Sequence, residues 1–254
     1  MDIKIIIATH KKYWMPSDQM YLPLHVGKKG KDDLGYTGDD SGDNISVKNA
    51  NYCELTGVYW AWKNLNAEYK GLAHYRRHFM LKGAKGTKQE KVMTQAQLET
   101  LLKRTDIVLP NPRNYFIETN YSQYVHAHHA EDLDVTREIL VERYPKYVKA
   151  FDETMKSTVG HRFNMFIMKA DLFDRYCEWM FDVLFELEKR LDISQYSAYD
   201  SRVFGFVSER LLDIWIQTNE LNYLNTPVEF MEDQHWIRKG INFLKRKVGI
   251  HTEP

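Results

Sequence analysis

The chain has 254 residues, 43% hydrophobic and 28% charged, a composition that fits a soluble globular protein with a substantial core. Its 35 basic and 35 acidic residues cancel, so net charge supplies no reason to expect nucleic-acid binding. No run reaches the ~18–20 apolar residues that a bilayer crossing needs, and the N-terminal segment lacks the basic region and cleavage site of a signal peptide. The expected location is cytoplasmic.

Ile3 to Ala8 is a β-branched run of the kind that forms a parallel-sheet strand buried on both faces. The glycine- and aspartate-rich stretch from Gly27 to Asp43 reads as an exposed loop. Within Asn51 to Asn64, Leu55, Val58, Tyr59 and Trp62 recur at helical spacing. Tyr69 to Ala73 predicts a short strand that ends in His74-Tyr-Arg-Arg77, and Lys82 to Lys91 a loop. A helix is predicted near Thr94 to Lys103, a strand over Asp106 to Pro110, and a loop from Asn114 to Tyr124. Helices follow at Glu131 to Arg143 and from Pro145. Phe163 to Lys169 reads as a strand and Ala170 to Arg190 as a long amphipathic helix, with a further helix from Ser197–Ser201 to about Thr218. This alternation without internal repeats predicts an α/β fold, one domain over 1–254, with helices flanking a mostly parallel sheet.

Several clusters could carry chemistry. His74, Arg76, Arg77 and His78 follow a predicted strand, and ligands of open α/β sheets bind beyond the carboxyl ends of strands. Guanidinium forks suit phosphate oxygens; the alternative is an arginine pair held by surface carboxylates. Asp39, Asp40, Asp43 and Asn44 offer oxygen donors for magnesium, manganese or a sugar, although acidic glycine-rich loops are usually just solvated. His126, His128 and His129 match no zinc spacing. Asp200 falls where a helix should begin, which allows either a capping role or that of a general base. Arg202, Glu209 and Arg210 follow it, beside an apolar face of Val203, Phe206, Val207 and Leu211, and Glu209 could instead pair with either arginine. The stretch 235–250 has Ile237, Ile241, Leu244 and Val248 at helical spacing with a basic opposite face, suiting either an anionic membrane surface or terminal packing. Cys53 and Cys177 lie outside any metal spacing and read as reduced, buried thiols.

Certain segments, in order, resemble a bacterial family of capsular and exopolysaccharide biosynthesis proteins catalogued as a domain of unknown function (DUF 4422). They are Thr9-His10-Lys11, Gly42-Asp43-Asn44-Ile45-Ser46, Glu54 to Asn64, Gly71 to Phe79, Asn164 to Met168, Tyr176-Cys-Glu-Trp179 and Arg202 to Leu212. The resemblance implies glycosyltransferases with a GT-A-like nucleotide-sugar fold, some associated with galactofuranose transfer. It implies a nucleoside-diphosphate sugar donor, expected to be a UDP-sugar, and a lipid-linked or oligosaccharide acceptor. Better-known GT-A enzymes hold a manganese or magnesium ion with Asp-x-Asp, where this chain has His74-Tyr-Arg-Arg77. The expectation is therefore that no metal is required and that Arg76 and Arg77 stabilise the departing diphosphate; a cation held by Asp43 or His235 is the alternative. Thr9, His10, Asp43, Asn44, Glu54, His74 and Arg202 are expected on the donor side, and Asp200 as the base of an inverting displacement. A non-catalytic nucleotide- or glycan-binding subunit is the rival, since 16 tyrosines and 6 tryptophans could supply sugar-stacking platforms. A phosphotransferase lacks its usual loop motifs.

Overall fold

The computed structural model describes residues 1–232, so the segment 235–250 and His235 lie outside the described residues. In chain order, β1 (Ile3–Thr9), β2 (Tyr21–His25) and β3 (Thr37–Gly38) precede α1 (Asn49–Tyr52) and α2 (Leu55–Asn64). Then come β4 (Tyr69–His74), β5 (Arg77–Phe79), α3 (Gln95–Leu102), β6 (Ile107–Pro110) and β7 (Arg113–Asn114). After α4 (Asn120–Val125), α5 (Ala130–Arg143) and α6 (Val148–Lys156) the chain forms β8 (Val159–Gly160) and β9 (Phe166–Lys169). It continues through α7 (Ala170–Arg190), α8 (Val203–Thr218), β10 (Leu224–Thr226) and β11 (Val228–Phe230).

The main sheet runs β10-β6-β9-β4-β1-β2-β3. All neighbours along it are parallel except at β9, which lies antiparallel between β4 and β6. This is the mixed α/β architecture expected, with a mostly parallel central sheet flanked by helices. Gly71 permits the β4–β9 contact, because a Cβ there would stand 2.7 Å from the Phe166 carbonyl oxygen.

Side-chain alternation divides the core between the two faces. Ile6 and Ala8 of β1 join Leu72, Ile107, Leu109, Phe166 and Met168 under the layer that holds α2, α7 and α8. Ile3, Ile5 and Ile7 join Tyr69, Ala73, Val108 and Ile167 on the opposite face, against Leu98 and Leu102 of α3. Each fully buried aliphatic side chain contributes about 1.5–3 kcal/mol of transfer free energy. The long helix α7 buries Phe173, Tyr176, Cys177, Met180, Leu184 and Leu187 along one stripe and ends on Lys189 and Arg190, the sign its C-terminal dipole favours.

Four sequence expectations need correction. The helix read within Asn51 to Asn64 is interrupted at Cys53, whose φ of 52° ends α1 before α2 begins. The strand read from Phe163 begins only at Phe166, because Phe163 (φ 77°) and Asn164 (φ 54°) adopt left-handed backbone. The loop read from Asn114 to Tyr124 contains β7 at its start and most of α4, whose N-cap Thr119 accepts from the Ser122 N–H at 3.0 Å. The loop before Asp43 is not merely solvated, since Asp39 is fully buried. That carboxylate accepts from the Gly27 N–H at 2.8 Å, the Lys28 N–H at 3.0 Å, the Thr56 hydroxyl at 2.6 Å and the Ser46 hydroxyl. It ties the loop to α2. Cys53 and Cys177 are both free; Cys177 is buried, Cys53 only partly.

Candidate functional site

The sheet order turns at β1. From it the chain first runs outward to β2 and β3, then returns to β4 on the other side. In open α/β sheets the crevice beyond such a switch point receives the ligand. Here it holds a cleft of about 780 Å³. Ala8 and His10 line it from the end of β1, and His74, Tyr75, Arg76 and Arg77 from the end of β4 and its turn into β5. Cys53 and Glu54 come from the α1–α2 junction.

The remaining wall is one face of a helix. Arg202, Gly205, Phe206 and Glu209 line the cleft at i, i+3, i+4 and i+7 spacing, with Tyr199 one turn earlier. Phe206, expected on the apolar core face, belongs to this stripe and is only half-buried. Gly205 lets α8 approach closely, since a Cβ there would lie 3.2 Å from Cys53 Sγ and 3.3 Å from its Cβ. Cys53 and Phe163, both with positive φ, line the cleft, and Asn164 donates into it through Glu54. Left-handed non-glycine residues cost of order 1–3 kcal/mol each and gather at functional sites.

Charge in the cleft is predominantly positive, with Lys31, Arg76, Arg77 and Arg202 facing Glu54 and Glu209. Arg76 ion-pairs with Glu232 at 3.0 Å, which realises the surface-carboxylate alternative for that arginine. Arg77 differs. Its guanidinium stacks 4.4 Å from the Phe163 ring centroid, and its buried Nε has no hydrogen-bond partner among the described residues. Burial, then the neighbouring Arg76, weakens its hold on its proton relative to a free arginine. His74 is pushed down to about 4 by burial and by Arg77, so its imidazole is neutral at pH 7. Its Nε2–H accordingly donates to the Phe163 carbonyl at 2.6 Å, bracing the left-handed pair.

Burial raises the Glu54 carboxyl above the ordinary range, partly offset by the 2.8 Å hydrogen bond from Asn164 Nδ2. Glu209 accepts from the Phe163 N–H and from Arg210 Nη1, both at 3.1 Å, so of its two sequence alternatives it pairs with Arg210. The Cys53 thiol is pushed up to about 11 by burial and by Glu54, and it accepts from Arg202 Nε at 3.2 Å. His10 is exposed, and its pKa is lowered by partial burial and by Lys11.

The structure therefore brings together His10, Glu54, His74, Arg76, Arg77 and Arg202, and leaves Thr9, Asp43, Asn44 and Asp200 off the lining. Thr9 is buried, its hydroxyl donating to the Lys11 carbonyl at 2.6 Å. Asp43 receives the Tyr59 hydroxyl at 3.2 Å, and Asn44 caps its own loop through the Gly42 carbonyl and Ser46 N–H. Asp200 starts a short 3-10 turn before α8; its carboxylate accepts from Ser197 Oγ at 2.7 Å and meets His128 Nδ1 at 3.2 Å. Those contacts, led by the serine, hold it below the usual carboxylate range. Glu209, Phe163 and Tyr199 are cleft residues the sequence reading did not assign. The i, i+3, i+4, i+7 stripe from Arg202 was the available signal for Glu209.

Where the resemblance leads one to expect Asp-x-Asp, the chain presents a neutral imidazole and two guanidiniums, none of which is a hard oxygen ligand. The carboxylates that do line the cleft, Glu54 and Glu209, are engaged by Asn164 and by the Phe163 N–H and Arg210. Among the described residues no three His, Cys, Asp or Glu side chains converge as a ligand group. The histidine trio divides: His126 pairs with Glu118, while His128 and His129 both meet Asp200, at 3.2 and 3.9 Å, and His129 stacks on Tyr196 at 4.0 Å. A second, more open hollow of about 550 Å³ surrounds His161 and Asp213 and contains none of the residues singled out in the sequence.

A family model described as a domain of unknown function (DUF4422) matches residues 4–220. The chain belongs to that family. No curated protein matches it. A solved structure, the WbbM bifunctional glycosyltransferase in its apo form, superposes with a TM-score of 0.85 at 31% identity. The match covers 92% of this chain and 46% of that one, so the chain spans about half the length of the larger protein. No helix among the described residues is long and apolar enough to cross a membrane.

Proposed function

We propose that the chain is a glycosyltransferase that moves a sugar from a nucleoside-diphosphate donor to a glycan or lipid-linked acceptor. The observation that carries this reading is Arg77, a cation with an unsatisfied buried Nε, in a positively charged cleft at the switch point of the sheet. Fixed cations there would stabilise the charge that develops on a departing diphosphate, with no reorganisation at the moment of reaction. The likeness to a bifunctional glycosyltransferase supports the same reading.

In the reaction we propose, the acceptor hydroxyl attacks the anomeric carbon while the bond from that carbon to the diphosphate oxygen breaks. The electron pair leaves with the diphosphate, beside Arg77 and, at the rim, Arg76. Glu54 takes the hydroxyl proton. It suits that role better than Asp200, because its raised proton affinity is that of a stronger base and it lines the cleft. Direct displacement of this kind inverts the anomeric centre.

The finer assignments rest on family resemblance: a GT-A-like donor domain, UDP as the nucleotide, galactofuranose as the first donor sugar to test, and a role in capsule or exopolysaccharide assembly. Arg77 in place of an Asp-x-Asp cation site favours transfer without a metal. The deciding experiment incubates the protein with a panel of UDP-sugars, UDP-galactofuranose included, with and without oligosaccharide acceptors. Acceptor-dependent release of UDP is expected. Tight nucleotide binding with no turnover for any pair would replace the enzyme with a binding subunit.

A further inference from the structure

Tyr199 and Phe206 are not used by the donor reading. Tyr199 is 57% exposed, and both rings line the cleft on the α8 wall, their centroids 5.2 Å apart. A single exposed aromatic on a surface needs no explanation. This pair is different because it is built. The His128 ring stacks on Phe206 at 4.2 Å and lies 5.6 Å from Tyr199 at an interplanar angle of 21°. His128 is itself anchored by Asp200 at 3.2 Å and by contact with the Tyr124 ring at 4.9 Å. The Arg202 guanidinium stands 5.7 Å from the Tyr199 centroid and 5.2 Å from that of Phe206.

We propose that Tyr199 and Phe206 form a platform for a sugar ring of the acceptor. This inference rests on the transferase reading above. A pyranose or furanose ring presents C–H groups on one face and hydroxyls around its edge. An aromatic face receives the former, and polar groups beside it receive the latter. Both halves occur on the same helical stripe, with the two rings beside Arg202 and Glu209. The platform also leaves the strand-end side of the lining, Ala8 and His10 after β1 and Val26 after β2, to the nucleotide of the proposed donor. Asp200, expected as the base, thereby acquires a different role. It is a positioning residue that fixes His128 under the platform.

Saturation-transfer NMR with a panel of methyl glycosides (galactose, glucose, mannose, rhamnose and N-acetylglucosamine) tests this, with and without saturating UDP. At least one glycoside should bind at millimolar concentration and receive saturation from aromatic protons at its ring C–H positions. Tyr199→Ala should weaken that binding about tenfold, the scale of losing one aromatic anchor, while Tyr199→Phe stays within about twofold. UDP affinity, followed by calorimetry, should be the same in both variants. The proposal is overturned if no glycoside binds, if Tyr199→Ala binds it as tightly as the parent, or if that variant loses UDP instead, which would assign the rings to the nucleobase. Failure of the donor reading looks different, since UDP would then not bind the parent protein while glycoside binding without nucleotide would still report on the platform.

Discussion

Asn164 Nδ2 donates to Glu54 Oε1 at 2.8 Å, from a residue whose own backbone is held left-handed at φ 54°. The amide faces a carboxyl that burial has made harder to ionise. Transfer in the proposed mechanism needs Glu54 ionised, so kcat/KM should fall as pH drops through its elevated pKa. The acid limb should therefore lie above the ordinary value of about 4.3. Glu54→Gln should abolish that limb and lower kcat by about 10²–10⁴-fold. The stability sign is the reverse of the usual acidic case: a carboxyl with a raised folded-state pKa loses stability as pH rises through it. The glutamine variant should therefore melt no lower than the parent at neutral pH. A large drop in melting temperature would make Glu54 structural.

The two arginines should separate. Arg77 has no carboxylate partner among the described residues, whereas Arg76 is shared with Glu232 at 3.0 Å and is 40% exposed. Arg77→Ala should reduce turnover by about 10²–10³-fold, the loss typical of one preorganised donor at a developing charge. Arg77→Lys should recover little, because an ammonium reproduces neither the planar fork nor the stacking on Phe163. Arg76→Ala should lose less than Arg77→Ala in the same steady-state assay.

Cys53 lines the cleft yet should be inert. With its thiol pushed up to about 11, only a trace of thiolate exists at neutral pH. Alkylation by iodoacetamide should be slow at pH 7 and should accelerate up to about pH 11, followed by mass spectrometry. Fast labelling at neutral pH would contradict the burial and the Glu54 contact that raise it.

Asp39→Ala should destabilise the protein by about 3–5 kcal/mol in denaturant unfolding, since it strands two backbone N–H groups and two hydroxyls in the interior. Asp43→Ala should change stability by less than about 1 kcal/mol, because its carboxylate is exposed and receives one tyrosine hydroxyl.

The sheet was legible where residues alternate against two cores. Ile3 to Ala8, Tyr69 to Ala73 and Asp106 to Pro110 each mark a strand found within a residue or two. The helix Ala170–Arg190 matches its apolar stripe. β3, β10 and β11 are two or three residues long and carry no periodicity to detect. α4 hides because Asn120-Tyr-Ser-Gln-Tyr-Val has weak intrinsic helix preference, and the Thr119 cap and tertiary packing decide it. At the site, strand ends could be read because their side chains emerge at predictable places. His74 to Arg77 is the clearest case. Asp39 misled because a buried carboxylate and a solvated one look alike in a glycine-rich loop. Asn164 is a residue type that tolerates left-handed backbone, but Phe163 is not, and nothing in the sequence marks it; neighbours such as His74 and Glu209 hold Phe163 there.

The lining runs from Ala8 to Glu209. The strand ends arrive within the first third of the chain, whereas Phe163, Tyr199, Arg202 and the α8 residues of the lining come much later. A growing polypeptide thus completes the strand-end part of this lining long before the α8 part exists. Fragments that stop short of α8 are expected to lack a closed cleft, however well their strands pair. Substrate protection against proteolysis should consequently appear all at once, when α8 docks against Cys53 through Gly205.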